Sequence, residues 1–334
     1  MSSFKTIDYR DGKLILLDQT KLPLVEEYII TDELERIAKA IERLEVRGAP
    51  AIGVTAAYGI ALAMKNVNAD FDLHFEEAFN RLASTRPTAV NLFYALKEME
   101  NVFQEMKKYP ELIYQKLIQR AMAIHKEDIL LCEKMAKNGI EIFDSPKNVL
   151  THCNTGQLAT GGGGTAFYVI KKAFEKGLVK FVHADETRPL LQGSRLTAFE
   201  LEKSGIPFAI NPDSAAAYLM KSGKIDLVIT GADRIASNGD SANKIGTYNL
   251  AVLCKYHNIP FYIAAPDTTI DREIKSGDEI KIEYRGKAEV TSVNGVQVTK
   301  PEYDVISPAF DVTPSELITG IITDIKVYRQ PYKF

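Results

Sequence analysis

Five short runs rich in β-branched and aromatic residues recur through the second half of the chain, separated by stretches long enough for helices. The runs are NVLTH, KFVHA, PFAI, DLVIT and PFYIAA, and the first begins at residue 148. Strands that alternate with helices pair as a parallel sheet, because each helix returns the chain to the same edge. This alternation predicts an α/β domain with a doubly wound, Rossmann-like parallel sheet.

A polar loop follows each predicted strand. The loops are CNTGQLATGGGG, DETRPLLQG, NPDSAA, GADRIASNGDSANK and PDTTID. In doubly wound sheets, ligands bind beyond the carboxyl ends of the strands. Five polar loops at one edge of the sheet therefore predict a single ligand-binding crevice.

The first half has a different pattern, which predicts a mainly helical region. After two strand-like runs, KLILLD and LVEEYII, apolar residues recur with helical spacing in DELERIAKAIERLEV, for which Asp32 is the candidate N-cap. The nearly continuous apolar run AIGVTAAYGIALAM predicts a buried helix. Residues 87–108 and 110–138 predict two longer amphipathic helices, and Pro87 suits the first turn of the former.

Length and composition limit the domain organisation. With 334 residues, 46% apolar and 25% charged, the chain is an ordinary globular sequence of about two domains. We expect an N-terminal helical domain with short strands over residues 1–125. A Rossmann-like catalytic domain is expected over residues 126–334.

Charge and cysteine usage exclude several classes of protein. The net charge of −3, with no basic run longer than a Lys-Lys pair, argues against a nucleic-acid partner. No segment approaches 18 uninterrupted apolar residues and the N-terminus has no signal-like apolar region, which argues against a membrane span or secretion. The three cysteines are scattered and lack metal-ligand spacing. We therefore expect a cytoplasmic protein with no structural metal site.

The stretch LTHCNTGQLATGGGGTAF, residues 150–167, places a histidine, a cysteine and four consecutive glycines after the first predicted strand. Glycines between a strand and a helix expose backbone N–H groups that suit a phosphate or another anion. The alternative is a tight turn with close helix–sheet packing, since the run matches neither GxGxxG nor a P-loop. Cys153 is either a small buried hydrophobic residue or a reactive thiol activated by His152 and a helix dipole.

Charged residues at predicted loop and helix ends give further candidates. Asp233 in GADRI follows a strand and is either a turn former or a general acid enclosed in the crevice. Four other acidic residues compete for the second role, namely Asp185, Glu186, Asp213 and Asp240. Arg47 in VRGAPAIG and Arg86 in TRPTAVN each precede a predicted helix, where they either bind phosphate or form surface ion pairs.

Six motifs occur in the order in which the methylthioribose-1-phosphate isomerase family carries them. They are RGAPAIG, TRPTAVNL, THCNTG, ETRPLLQG, GADRIASNGDSANKIGTY and PAFDVTPSELITGIIT, and the resemblance extends over residues 10–330. The superfamily also contains regulatory subunits of the exchange factor for the second eukaryotic initiation factor, and archaeal ribose-1,5-bisphosphate isomerase. The resemblance implies an N-terminal helical domain, a Rossmann-like C-terminal domain and a homodimer.

The resemblance also implies a reaction. It is the aldose–ketose isomerisation of 5-methylthioribose 1-phosphate, with the phosphate kept on C1 and with no metal or redox cofactor. Cys153 of THCN and Asp233 of GADRI match the family's catalytic pair. The family's substrate-binding positions match Arg47, Gly48, Ala49, Arg86, Gln192, Asn243 and Lys244. The regulatory relatives generally lack the cysteine–aspartate pair, so its presence favours an enzyme over a regulatory subunit.

Three segments depart from the family pattern. The turn that usually has the form ATxGYGTA is ATGGGGTA here, NPDSAAAYLM stands where a sequence close to DNMAGWLM is usual, and residues 281–305 lack the EERxPEEV pattern. Because the catalytic and phosphate motifs are intact, these departures bear on the substituent at C5. A related branch acts on 5-deoxyribose 1-phosphate, which is therefore the alternative substrate.

Overall fold

A computed structural model describes residues 4–87, 89–293 and 295–334; Thr88 of the TRPTAVNL motif lies outside the described residues. The chain divides into two compact units. The N-terminal unit is the chain up to Leu131 together with Gly156–Gly164, and the C-terminal unit is Cys132–Thr155 together with Thr165–Phe334. The boundary of a catalytic domain between residues 125 and 126 stays a prediction.

The N-terminal unit is mainly helical and carries one small sheet. Its strands are β1 (Ile7–Arg10), β2 (Lys13–Leu17) and β3 (Tyr28–Thr31), which pair in that order as antiparallel neighbours. Its helices are α1 (Leu34–Glu42), α2 (Ala49–Ala63), α3 (Phe71–Ala83), α4 (Val90–Met106) and most of α5 (Ile113–Gly139). Every residue of α2 from Ala51 to Leu62 is buried, which confirms the helix predicted from the apolar run.

The predicted start of α1 is wrong in one detail. The N-cap position is Glu33 rather than Asp32, and the Glu33 side chain makes no capping hydrogen bond. The Asp32 carboxylate instead accepts a hydrogen bond from Lys65 Nζ at 3.0 Å. The cross-element ion pair therefore replaces the local cap that the sequence suggested.

The predicted start of α4 is also wrong. The helix begins at Val90, so Pro87 lies before it rather than in its first turn. The carbonyl of Arg86 accepts a hydrogen bond from the backbone N–H of Ala89 at 3.0 Å, and this turn precedes the helix.

The C-terminal unit is built on a seven-stranded sheet, which confirms the predicted α/β class. Its strands are β4 (Lys147–Thr151), β5 (Val179–Asp185), β6 (Phe208–Asn211), β7 (Leu227–Thr230), β8 (Arg234–Ala236), β9 (Ser241–Lys244), β10 (Phe261–Ala264), β11 (Ile270–Asp271), β12 (Ser292–Val293), β13 (Val296–Gln297), β14 (Phe310–Thr313), β15 (Gly320–Ile322) and β16 (Val327–Tyr328). The large sheet has the order β16-β15-β10-β7-β4-β5-β6, parallel throughout except for β16. The five strands predicted from sequence are β4, β5, β6, β7 and β10.

Helices cover both faces of this sheet. They are α6 (Ala166–Glu175), α7 (Ala198–Ser204), α8 (Ala216–Lys221) and α9 (Thr247–His257); the short α10 (Ala288–Thr291) precedes the β12–β13 hairpin. Successive strand residues enter different cores, because side chains alternate across a strand. Val149 packs in the core that contains Phe167 of α6, and Leu150 packs in the core that contains Leu250 of α9. Burial on both faces explains the continuous apolar runs of the sequence.

One predicted loop is a hairpin. The segment GADRIASNGDSANK contains β8 and β9, which pair with each other and join a four-stranded sheet of order β11-β8-β9-β14. Besides β8, strand β9 pairs with β14, far along the chain, so no local pattern reveals that second pairing. Among the described residues, no helix is long and apolar enough to cross a membrane.

Candidate active site

The strand order fixes where a ligand can bind in the C-terminal unit. Strands β4 and β7 are neighbours, and from them the chain proceeds to β5 and β6 on one side and to β10 and β15 on the other. Ligands of doubly wound sheets bind at the carboxyl ends of the strands where the order reverses in this way. Cys153 follows β4 and Asp233 follows β7, so both candidates lie at this point. The Thr151 hydroxyl donates to the Ile229 carbonyl at 2.9 Å and joins the two strand ends.

The backbone at Cys153 is held in an uncommon conformation. Its φ of +62° lies in the left-handed region, which non-glycine residues seldom adopt. Its N–H donates to Thr187 Oγ1 at 2.8 Å, and its carbonyl accepts from Thr197 Oγ1 at 2.6 Å. Thr187 and Leu191, in the loop after β5, also have positive φ values of 65° and 59°. Strain of this kind concentrates at functional sites. Sequence reasoning singled out neither Thr187, although it lies in the ETRPLLQG motif, nor Thr197, which lies outside the motifs.

Both ring nitrogens of His152 have partners other than the Cys153 thiol. Its Nδ1 lies 3.0 Å from Asp185 Oδ2, and its Nε2 lies 2.9 Å from the Ile245 carbonyl. Both ring nitrogens are occupied by these partners, so neither is open to take a proton from Cys153. Burial opposes a charge on the ring, but the Asp185 carboxylate outweighs it and raises the pKa of His152.

Three of the acidic residues that competed with Asp233 have structural partners. The Asp213 carboxylate accepts from the backbone N–H groups of Thr187 and Arg188 at 2.8 and 2.7 Å. Asp240 accepts from two further backbone N–H groups at 2.9 and 2.8 Å, and despite burial these bonds hold the pKa of its carboxyl below the usual value. Asp185 bonds His152. Asp233, which the motif match indicates, and Glu186 stay candidates for the acid.

Two of these acids and His152 also decide a question about metals. His152, Asp185 and Asp213 offer ligand atoms that lie within 4.8 Å of one another, the only such group among the described residues. Each of these atoms is already engaged in a protein hydrogen bond. The arrangement is therefore a hydrogen-bonded cluster rather than an open ligand set.

The remaining candidates of the C-terminal unit lie on the neighbouring loops. Gln192 is buried, and within the described part of the chain its Oε1 has no hydrogen-bond partner. Asn243 Nδ2 donates to Thr247 Oγ1 at 2.9 Å. Lys244 Nζ donates to the Ala309 carbonyl at 3.0 Å and lies 4.5 Å from the centre of the Phe310 ring. A buried amide oxygen without a partner is costly, so Gln192 is the position here that most clearly invites a ligand.

Gly193, next to Gln192, must be a glycine. A Cβ on this residue would lie 1.6 Å from the carbonyl oxygen of Asp185. The loop after β5 therefore folds back onto the end of its own strand, which fixes Gln192 close to the buried His152–Asp185 pair.

In the N-terminal unit, the RGA and TRP motifs lie at two helix starts that pack against each other. Arg47 and Gly48 precede α2, Ala49 is its first residue, and Arg86 lies in the turn before α4. A Cβ on Gly53 in α2 would lie 2.7 Å from the Asn91 carbonyl in the first turn of α4. Two helix N-termini and two partly buried arginines are thereby brought to one place, an arrangement suited to a phosphate.

The glycine turn belongs to the same unit and contacts the RGA motif. Gly48 has a φ of +91°, and a Cβ there would lie 2.4 Å from the Ala159 carbonyl oxygen. Only glycine permits that approach and that backbone conformation.

Two side chains of α5 hold the turn. Asp128 Oδ2 accepts from the N–H of Gly161 at 2.6 Å, and His125 Nε2 donates to the carbonyl of the same residue at 2.9 Å. Loss of water raises the pKa of Asp128 to about 6, although backbone N–H groups of the turn limit the rise. Burial lowers the pKa of His125. Sequence reasoning missed this pair, whose signal is a histidine and an aspartate three residues apart on one helix face.

Comparison with known proteins places the chain in a family. It belongs to the initiation factor 2 subunit family, whose model matches residues 45–329. Within that family its sequence is similar to enzymes: methylthioribose-1-phosphate isomerase of Caldicellulosiruptor saccharolyticus is 50% identical over 333 residues, which cover 98% of this chain and 97% of that relative.

Two solved structures are similar along the whole chain. The crystal structure of 5-methylthioribose 1-phosphate isomerase from Pyrococcus horikoshii OT3 has a TM-score of 0.94 and 41% identity, covering 100% of this chain and 94% of that one. A structure named translation initiation factor eIF-2B, subunit delta, from A. fulgidus has a TM-score of 0.89 and 41% identity, covering 99% and 97%. The resemblance inferred from the six motifs is confirmed.

Proposed function

We propose that this chain is an aldose–ketose isomerase that converts 5-methylthioribose 1-phosphate into 5-methylthioribulose 1-phosphate, a step of methionine salvage. The observation that carries the proposal is the placement of Cys153 and Asp233 after the adjacent strands β4 and β7. The full-length similarity to enzymes named for this reaction supports the same assignment.

The chemistry needs the residue types found at these positions. A sugar with phosphate on its anomeric carbon does not open spontaneously to an aldehyde. Asp233 is proposed as the acid that protonates the ring oxygen while the bond from that oxygen to C1 breaks. Hydrogen then moves from C2 to C1, so C2 is oxidised and C1 is reduced within one molecule. Because the oxidation of C2 is balanced by the reduction of C1, the reaction needs no external oxidant or reductant. The proposal therefore includes no metal and no redox cofactor.

Two routes remain open for the hydrogen. In one, Cys153 takes the C2 proton, an enediol-type intermediate forms, and the proton is returned to C1. In the other, the hydrogen moves directly as hydride and Cys153 stabilises the charge that develops. Reaction in deuterated water separates them, since only the proton route incorporates solvent deuterium at C1.

The remaining candidate residues are proposed to bind the substrate. Arg47 and Arg86, with the N–H groups at the starts of α2 and α4, suit the phosphate. Gln192, Asn243 and Lys244 are proposed to contact the sugar. Arg47→Ala and Arg86→Ala should therefore raise KM far more than they lower kcat. An unchanged KM in both variants would put the anion site elsewhere.

The test of the activity itself is direct observation of the ketose. NMR of the purified protein with 5-methylthioribose 1-phosphate should show it, and Cys153→Ser and Asp233→Asn should each lower kcat at least about 100-fold. Cys254→Ser, at another buried cysteine, is the matched control and should keep its turnover. The rival is a non-catalytic regulatory subunit related to the initiation-factor-2B subunits; a similar structure is named translation initiation factor eIF-2B, subunit delta. No ketose from the wild-type protein with either this sugar or 5-deoxyribose 1-phosphate would contradict the enzyme assignment.

The glycine turn favours a second substrate, 5-deoxyribose 1-phosphate. Position 163 is glycine where the usual family pattern has tyrosine. Loss of a phenol ring removes apolar area for a methylthio group, at about 25 cal/mol per Å². Because one small apolar group seldom gives more than about 1–3 kcal/mol of discrimination, the enzyme should accept both sugars. Gly163→Tyr should raise kcat/KM for the methylthio sugar relative to the deoxy sugar. A wild-type preference for the methylthio sugar above about 100-fold would contradict the dual acceptance.

We also propose a cytoplasmic homodimer that binds neither nucleic acid nor membrane, with the catalytic domain in residues 126–334. The dimer rests on the resemblance to the isomerase family. The net charge of −3 without a basic stretch supports the absence of a nucleic-acid partner.

A further inference from the structure

The imidazole ring of His152 has two hydrogen-bond partners that both require a donor. The Ile245 carbonyl, 2.9 Å from Nε2, can only accept, so Nε2 carries a hydrogen. The Asp185 carboxylate, 3.0 Å from Nδ1, is an acceptor when ionised, so Nδ1 carries one as well. A histidine with hydrogen on both ring nitrogens is an imidazolium. Its side chain is 1% exposed, so the charge is enclosed in protein.

The ring connects three loops that carry candidate site residues. His152 itself precedes Cys153, Asp185 ends β5 at the start of the loop that holds Gln192, and Ile245 directly follows Lys244. One imidazolium therefore fixes the ends of β4, β5 and β9 relative to one another. Loss of either ring hydrogen bond would release one of these loops.

A second path from the same cluster reaches Cys153. Asp213 accepts from the backbone N–H of Thr187, and the Thr187 hydroxyl accepts from the N–H of Cys153. The same hydroxyl donates to the Asp185 carbonyl at 3.1 Å. The strained backbone of Cys153 is thus tied to the residue that pairs with the imidazole.

The surroundings of the ring are built for a positive charge. Asp185 pairs with it, Asp213 Oδ1 lies 4.0 Å from Nδ1, and Asp311 on β14 also attracts it. Asn211 Nδ2 donates to the other oxygen of Asp185 at 2.5 Å and keeps that carboxylate facing the ring. Gly246 leaves space for the ring, since a Cβ there would lie 3.0 Å from Cε1. Three carboxylates on three elements therefore compensate one buried cation.

We propose that His152 is a positioning residue for the isomerisation, and that its imidazolium holds the Cys153, Gln192 and Lys244 loops in their catalytic arrangement. The inference rests on the proposed function for its catalytic meaning. We do not place His152 in contact with the reacting atoms. It acts through the two backbone segments that carry its hydrogen-bond partners, Asp185 and Ile245. Although burial opposes the charge, the Asp185 carboxylate raises the pKa of His152 above its ordinary 6.5, so the imidazolium persists to a higher pH than that of a free histidine and is lost as the pH rises through the raised value.

The protonation state is tested without any assay of activity. Wild-type protein labelled with ¹⁵N at histidine should show one ring with hydrogen on both nitrogens at pH 7.5. That signal should be absent from His152→Gln. A His152 ring with a single hydrogen at this pH would overturn the inference.

The positioning role is tested with two variants that each keep one bond. The amide nitrogen of His152→Asn replaces Nδ1 and can still reach Asp185, whereas that of His152→Gln replaces Nε2 and can still reach Ile245. In wild type, kcat should fall on the alkaline side as the imidazolium loses its proton. Each folded variant should have kcat lower by about 10-fold or more, with that alkaline limb absent. His183→Gln, at another buried histidine of the same sheet, is the matched control and should keep both kcat and the limb.

The outcomes separate this inference from the proposed function. If wild type forms no ketose, the proposed function fails, and the ¹⁵N measurement still decides the imidazolium. If wild type is active and both variants keep its kcat and pH profile, the positioning role is wrong while the isomerase assignment stands. If either variant fails to fold by circular dichroism, the other carries the kinetic test, and Asp185→Asn, which removes the paired charge, should give the same loss of the alkaline limb.

Discussion

At the scale of single residues, the Thr187 hydroxyl joins the Cys153 backbone to the end of β5. It accepts from the N–H of Cys153 and donates to the Asp185 carbonyl. Thr187→Val keeps the shape but leaves a buried N–H without a partner, which costs about 1–3 kcal/mol of unfolding free energy. We expect kcat about 10-fold lower with KM little changed, because the thiol is displaced while the phosphate contacts are not. Thr187→Ser keeps the hydroxyl and should behave like wild type; a fully active valine variant would contradict this role.

The Asp128 carboxyl makes the free energy of unfolding depend on pH, in a direction that its raised pKa determines. Its pKa is about 6 in the folded protein against 3.8 for the free side chain, so the folded state binds this proton more tightly. Its contribution to stability is complete below pH 3.8 and is lost as the pH rises through 6, a cost of at most about 3 kcal/mol. The unfolding free energy of Asp128→Asn, relative to wild type, should therefore increase between pH 4 and pH 7.5. Urea titrations at both pH values measure it.

The control for that experiment is Asp72→Asn. Asp72 has a side chain that is 73% exposed, so its replacement should give a difference from wild type that changes little with pH. Equal pH trends for the two variants would show that the Asp128 carboxylate is not the group responsible.

At the scale of elements, the start of α2 depends on one glycine. Gly48 combines a φ of +91° with a Cβ position that overlaps Ala159. Gly223 has a similar φ of +65° but open space around it, so Gly223→Ala measures the backbone term alone, about 1–2 kcal/mol. Gly48→Ala should lower the free energy of unfolding by at least about 2 kcal/mol more, since backbone atoms of Ala159 must move. If thermal unfolding gives the same loss of unfolding free energy for Gly48→Ala and Gly223→Ala, the backbone of Ala159 moves aside at no cost in stability.

The elements that sequence alone predicts are those with local causes. The five strands β4, β5, β6, β7 and β10 have continuous apolar runs because helices cover both faces, and their loops locate the edge of the site. The sheet that contains the β8–β9 hairpin is hidden because β14, which pairs with β9, is distant in sequence. The start of α1 is misplaced because Lys65, from another helix end, takes the Asp32 carboxylate. In each failure a contact between distant segments outweighs a local preference.

The residues of the candidate site also divide into those that sequence motifs indicate and those that only the fold reveals. The motifs indicate Cys153 and Asp233 as a pair, and the sheet order places them at neighbouring strand ends. Thr197 and Asp128 lie outside the motifs, and Thr187 lies in ETRPLLQG without being indicated by it, because the roles of all three come from backbone groups that only the fold brings to them. The residues proposed to act on substrate have a motif signal in the sequence, whereas the residues that hold them are found only in three dimensions.

At the scale of the whole molecule, the testable expectation is the oligomeric state. The resemblance to the isomerase family implies a homodimer. Light scattering at micromolar concentration should therefore give twice the chain mass of 37.2 kDa. A mass equal to one chain would contradict the dimer without touching the assignment of the reaction.

The position of β15 in the large sheet has a consequence for how the protein is made. This strand, Gly320–Ile322, covers the outer edge of β10 and is separated from it along the chain by the whole segment that carries β11 to β14. While a ribosome is still synthesising the preceding residues, β10 presents a row of unpaired backbone groups to any neighbouring nascent chain. Chains that terminate before β15 should therefore aggregate, and the free edge of β10 needs protection until β15 has been synthesised.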